Sequence, residues 1–182
     1  MELPNQPAMI RLAAAIYLPM LAGMFFLVPP GTLAIVDRQR LMIALVVALL
    51  GGLATIVASH WVSRRTRWGQ HLYHQFRLAL GTPNANQVML LAVLSALGEE
   101  VAFRGALQGR IGLEWTALLF ALLHYPFRKS LWPWTVFALV MGLALGALTA
   151  YAQNLAPAIV LHFMVNYFNL HDIAQAEATP HP

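Results

Sequence analysis

No cysteine occurs in the 182 residues. Disulfides, thiolate metal sites and a cysteine nucleophile are thereby excluded. Charge is nearly as scarce: Asp, Glu, Lys and Arg make up 10% of the chain, against about 25% in a soluble domain. So few charges cannot cover a soluble surface. Hydrophobic residues reach 59%, mean hydropathy is +0.64, and the apolar runs are long, which together place the chain among membrane proteins. The length suits one integral membrane domain, 1–182. The net charge is +4, the usual sign for loops facing anionic lipid and the cytoplasm. The basic residues form no long patch among aromatics, so no nucleic acid is expected as a partner. The amino-terminal flank holds Glu2 and Arg11 and no small-x-small site follows its apolar stretch, which reads as a retained first helix rather than a cleaved signal.

What is present is a series of apolar segments. They predict an all-α, polytopic membrane helical bundle of about six transmembrane helices. The first runs from about Met9 to Val28, with Pro19 near its middle. The link from Pro29 to Arg40 holds Pro29, Pro30 and Gly31, which break helices. The second, Leu41 to Ser59, has no charge in 19 residues. A polar stretch follows, His60 to Gln87, within which about Gln70 to Leu80 reads either as an interfacial amphipathic helix or as a solvated basic loop. The third helix runs from about Val88 to Leu107, the fourth from Trp115 to Phe127, the fifth from Pro133 to Ala152, and the sixth ends near Leu170. Gly142, Gly146 and Ala150 recur every fourth residue in the fifth and offer a close-packing face. The tail from His171 to Pro182 reads as polar and loose. Glu114 falls at a helix start, where a carboxylate suits the dipole. Trp132 and Trp134 fit an interfacial belt.

Arg64, Arg65, Arg67, Arg77, Arg128 and Lys129 lie in the second and fourth connections, against Arg38, Arg40 and Arg110 in the first and third. The richer side is expected to be cytoplasmic, together with both termini.

Three charges, Glu99, Glu100 and Arg104, sit in the otherwise apolar third helix. Each costs roughly 2.5–3.5 kcal/mol at a bilayer centre on insertion scales, so they must pair or serve a cavity. Glu100 and Arg104 are four residues apart in the favourable order and can neutralise each other. Glu99 points about 100° away around the helix, with no such cation partner, and is left for chemistry. His124 closes the fourth helix, and His162 and Asn166 share a face of the sixth. Counting from the turn near residues 111 and 112, Glu99 and His124 both lie roughly 18 Å deep, and Asn166 lies roughly 14–18 Å from the turn before the sixth helix, with His162 one turn shallower. All four can meet in one layer. There, Glu99 could take a proton from a water shared with His124, and His162 and Asn166 could donate to an oxyanion.

At these residues the chain resembles the CPBP family, the CAAX protease and bacteriocin-processing intramembrane proteases. The family's Glu-Glu-x-x-x-Arg motif is matched by Glu99, Glu100 and Arg104, followed by Gly105. Its Phe-x-x-x-His motif is matched by Phe120 and His124, and its His-x-x-x-Asn motif by His162 and Asn166. The three occur in order over a catalytic core of about 88–170. The resemblance implies that Glu99 and His124 activate water, that His162 and Asn166 form the oxyanion site, and that Glu100 and Arg104 support them. It implies a protein or peptide substrate at the bilayer, with or without a lipid on it, and, from the compact size, the inner (cytoplasmic) membrane of a bacterium. No cofactor is favoured. Zinc is possible on Glu99, His124 and His162, but Asn166 suits an oxyanion better than a metal.

Readings from other classes are a proton-coupled transporter, since intramembrane Glu and His also build proton relays, and a noncatalytic membrane binding protein. The first calls for repeats or interrupted helix pairs, which the chain lacks. The second needs neither the Glu99 base nor the oxyanion pair. Ser95, four residues before Glu99, has no partner in the sequence that marks it as a nucleophile.

Overall fold

The computed structural model describes residues 6–30, 32, 34–125 and 131–175. Among them every regular element is helical: α1 (Gln6–Phe25), α2 (Arg38–Arg65), α3 (Arg67–Leu80), α4 (Ala85–Glu100), a π-helical segment (Val101–Leu107), α5 (Gln108–Ile111), α6 (Leu113–Leu123), α7 (Trp132–Ala152) and α8 (Ala156–Gln175). Helix α8 is central. It packs on α2, α4 and α7 along its length and meets α3 near its end, while α1 covers α4 and the π segment, and α6 pairs with α7.

The interior reverses the size rule of a soluble core. Small residues lie inside, including Ala44, Ala48, Ala92, Ala96, Ala117 and Ala158. Large apolar side chains such as Leu50, Leu53, Val57 and Val140 face outward. Lipid tails solvate leucine as well as a protein interior does, so close backbone approach, not leucine burial, drives helix association in a bilayer. Helices α2 and α7 are long and apolar enough to cross a membrane. The bundle is a membrane one.

Polar residues mark the helix ends. Asp37 caps α2, accepting from Arg40 N at 3.0 Å. Thr66 ends α2 and begins α3: its N–H reaches Val62 O at 3.1 Å, and its Oγ1 accepts from Gly69 N at 3.0 Å. Glycine is required at 69, because a Cβ there would lie 2.3 Å from Val62 O. Asn84 and Gln87 form a reciprocal capping box at the start of α4, the arrangement that satisfies two orphan donors at once. Gly112 makes the α5–α6 turn at φ 86°. Asn154 both caps α8, through Ala156 N at 2.8 Å, and holds the α1–α2 link, through Ala34 O at 3.1 Å. Arg110 reaches Leu27 O at 2.9 Å. The α1–α2, α5–α6 and α7–α8 connections therefore share one side of the bundle, as the depth argument requires.

One open reading is resolved and three helix expectations change. The stretch from Gln70 to Leu80 is helical, within α3. The third helix is not regular: past Glu100 it widens into a π turn, and Gln108 N bonds Phe103 O, five residues back. The fourth helix stops at Leu123 rather than Phe127. Its 11 residues rise about 16 Å, roughly half the hydrocarbon thickness. The sixth continues to Gln175, past Leu170, because its last carbonyls are capped from outside. Arg77 Nη1 donates to Ile173 O at 2.6 Å and to Ala174 O at 3.2 Å, and Tyr73 OH donates to Asp172 O at 2.5 Å. Burial and the nearby Asp172 push the Tyr73 phenol up to about 12, so it stays a donor across neutral pH. In the small-residue stripe, Gly142 and Gly146 are buried but Ala150 is exposed. Arg128, Lys129 and residues 176–182 lie outside the described residues.

The Arg77 cap has a measurable value. Charge-assisted bonds to a helix C-terminus predict that Arg77→Ala lowers stability by about 1–3 kcal/mol. Thermal unfolding in detergent should show it, with Arg67→Ala, an exposed arginine on the same helix, as the silent control. Equal melting of both variants would remove α3 from the list of elements that hold α8.

Candidate active site

The site is built around a pair of charges with no access to water. Arg104 Nη1 donates to Glu100 Oε1 at 2.9 Å, and both side chains are 0% exposed. Such a pair survives only where each partner finds further bonds. Arg104 Nη2 donates to Gly142 O on α7 at 3.1 Å. Glycine at 142 is what lets α7 approach α6 closely, since a Cβ there would stand 3.2 Å from Ala117 Cα. The guanidinium carbon also lies 4.5 Å over the Phe120 ring, a cation–π contact worth most when desolvated. Glu100 Oε1 takes a second bond, from His162 Nδ1 at 2.7 Å.

That bond sets the direction of His162. With Nδ1–H committed to Glu100, Nε2 points toward Glu99 Oε2, 3.8 Å away. His124 arrives from the other side. It caps α6 in a non-helical conformation, φ −91° and ψ 9°. Its Nδ1 faces Phe120 O at 2.7 Å, which assigns the proton to Nδ1 and leaves a lone pair on Nε2. This Nε2 lies 3.7 Å from Glu99 Oε2. The His124 ring stacks on Phe120 at 4.3 Å. Phe120 thus touches both Arg104 and His124, which gives the first residue of Phe-x-x-x-His its physical role.

Glu99 has two different oxygens. Oε1 accepts from Tyr17 OH at 2.9 Å. Oε2 is buried without a hydrogen-bond partner and faces the two imidazole nitrogens at a spacing too long for direct bonds, where a bridging water is the first thing to consider. Asn166 stands one turn along α8 from His162. Its Nδ2 donates to Ser95 Oγ at 2.9 Å, and Ser95 stands one turn before Glu99. The two helices run antiparallel, so Ser95 with Asn166 forms a second polar layer beside that of Glu99 with His162. The structure therefore brings Glu99, Glu100, Arg104, His124 and His162 together and places Asn166 in the adjoining layer.

The segment 82–168 matches the family model described as type II CAAX prenyl endopeptidase Rce1-like. It contains all three motifs. Residues 82–168 belong to the Rce1-like family. The chain is also similar to the uncharacterized protein YpbD of Bacillus subtilis (strain 168), 33% identical over 81 residues, or 43% of this chain. The match spans 41% of that relative's length. No solved structure matches the chain.

The Rce1-like segment begins before α4 and ends within α8, so α1, α2 and α3 lie outside it. Yet α1 supplies Tyr17, a site residue that sequence reasoning missed. An aromatic in an apolar helix carries no motif, and its partner is 82 positions away. Ser95 and the Glu100–His162 bond were missed for the same reason. Trp134, read as an interfacial anchor, instead packs 5.9 Å from the His124 ring and 4.9 Å from Phe76 of α3.

A zinc ion is a poorer fit than the donor types suggest. Among the described residues no group of three or more His, Cys, Asp or Glu has the spacing of a metal site.

The buried pair makes a prediction about folding. Arg104→Met leaves the Glu100 carboxylate buried beside His162 and costs about 3–5 kcal/mol. Glu99→Gln keeps an acceptor for Tyr17 and folds like the parent. Detergent melts of the two variants decide it; an Arg104→Met protein as stable as wild type would mean that Glu100 is not held as a charge.

Proposed function

We propose that this chain is an intramembrane endopeptidase of the CAAX-processing type, cutting a peptide bond close to the membrane in a protein or peptide substrate. One observation carries the reading: an unpartnered, buried carboxylate oxygen, Glu99 Oε2, faced at 3.7 and 3.8 Å by the Nε2 atoms of two histidines that arrive on different helices.

The chemistry follows from which atoms are committed. A water between these groups gives one hydrogen to Glu99 Oε2 and one to the His124 Nε2 lone pair. Glu99 takes the proton as the water oxygen adds to the carbonyl carbon. The carbonyl becomes an oxyanion, met by an N–H of His162 Nε2 in its doubly protonated form and by the Asn166 amide hydrogen not used by Ser95. Preorganised donors of this kind are worth roughly 2.7–4 kcal/mol each. Glu99 then passes its proton to the amide nitrogen, the C–N bond breaks, and a carboxylic acid and an amine leave, the acid ionising once it reaches water. With His162 cationic, Glu99 and Glu100 are balanced by His162 and Arg104, so the buried layer is neutral before substrate enters.

The half-length α6 supports the same reading. Non-helical backbone at membrane depth is tolerated only where it is buried in protein or lines a water-filled cavity. His124 stands at that place, its side chain 23% exposed. The excess of arginine at 64, 65, 67 and 77 supports an orientation with α3 and both termini on the cytoplasmic side of the cell's inner membrane. The proposed substrates are therefore proteins or peptides reachable from that face, lipidated or not, and the catalytic core is 88–170.

Membrane-protein termini compared by mass spectrometry in cells carrying wild type or Glu99→Gln, at matched expression, test the reading. A terminus present only with wild type is expected. On the purified reaction, His124→Ala should lose about 10²–10⁴-fold and Asn166→Ala about 10²–10³-fold in kcat. Cleavage should persist in a zinc chelator. Identical termini, with both proteins folded and native partners expressed, would sink the protease reading and turn attention to transport or binding. Loss of activity to the chelator, restored by zinc, would replace the metal-free chemistry.

A further inference from the structure

We infer that Tyr17 is a positioning residue for Glu99, supplied by a helix outside the Rce1-like segment. The inference rests on the peptidase reading above and adds a part that the three motifs do not contain.

Two independent features single out Tyr17. The first is its bond: the hydroxyl donates to Glu99 Oε1 at 2.9 Å, from α1 to α4. The second is the space made for its ring. A Cβ on Gly98 would lie 3.0 Å from Tyr17 Cδ1 and 3.5 Å from Tyr17 Cβ. The residue immediately before the glutamate is thus side-chain-free where the tyrosine ring passes. The contact between α1 and α4 is shaped around this ring.

The effect on Glu99 follows from carboxylate geometry. The terminal torsion of Glu is broad and nearly two-fold, so a free carboxylate exchanges its oxygens and tilts easily. Tyr17 removes that freedom. With Oε1 held, Oε2 alone faces His124 and His162. A tyrosine hydroxyl also does what a charged donor would not: it fixes the carboxylate without adding charge to a layer that Arg104 and His162 already balance. Pre-alignment of this kind acts on the reacting geometry and not on substrate affinity.

The test uses the full chain in vesicles with two readouts. The first is infrared: the carboxylate band that disappears in Glu99→Gln is expected to shift in Tyr17→Phe, since the hydrogen bond to that carboxylate is gone. The second is kinetic, on a peptide spanning the cut found with wild type. Tyr17→Phe is expected to lower kcat about ten- to a hundredfold, with KM within about twofold and unchanged melting. Replacing Tyr17 by 4-aminophenylalanine, which restores an N–H donor at the same place, is expected to recover most of the loss. An unmoved infrared band overturns the bond. A shifted band with unchanged kcat overturns the positioning role, as does a loss confined to KM or melting. Absence of cleavage by wild type defeats the peptidase reading itself, and this inference with it, whereas wild-type cleavage with Tyr17→Phe fully active defeats this inference alone.

Discussion

Everything in the site hangs on one ion pair that has no business in a bilayer except as an anchor. Glu100 and Arg104 are fully buried, and separately each would be intolerable in the hydrocarbon. Together they fasten three helices beyond their own. Arg104 reaches the α7 backbone at Gly142 and lies over Phe120 of α6. Glu100 fixes the His162 ring of α8. The orientation of both histidines toward Glu99 is a by-product of this fastening: one is turned by Glu100, the other rests on the ring that Arg104 holds.

The small interior residues belong to the same logic. A long guanidinium can reach a helix carbonyl only where that helix lacks side chains. The Gly142 and Gly146 carbonyls are offered in this way to Arg104 and Gln108. What looks in sequence like a packing stripe is also a row of acceptors. Packing and polar satisfaction are not separate tasks here, because unpaired polar groups cannot turn to water.

The sequence made some of this legible. Spacing alone paired Glu100 with Arg104 and left Glu99 aside, and counting residues from the turns put Glu99, His124 and Asn166 at one depth with His162 a turn shallower, whereas the structure levels His162 with Glu99 and His124 and sets Asn166 in the adjoining layer. Both arguments use quantities that a chain carries along its own axis. The features that escaped depend on how helices face one another. Helices apolar on nearly all sides give no rotational signal, so Tyr17 on Glu99, Ser95 on Asn166 and Trp134 against His124 could not be read. Arg77 was read only as one more charge in a basic stretch, because its partners are backbone carbonyls at the far end of the chain. The early stop of α6 escaped because the apolar pattern was carried on to Phe127, past the break that Pro126 imposes on the residue before it.

The π turn has a meaning for the genetics of this segment. A π turn accommodates one residue more than an α-helical register does, so residues 101–107 behave as an α-helix that has absorbed an insertion. Deleting a single residue there would leave a perfectly good helix. The helix beyond would keep its place, because the widened turn is what absorbs the extra residue, but a gap before position 104 would set the arginine three rather than four residues past Glu100. Length in this stretch is therefore under the same constraint as identity. A one-residue gap changes which partners the arginine meets, although it removes no charged residue and breaks no hydrophobic pattern.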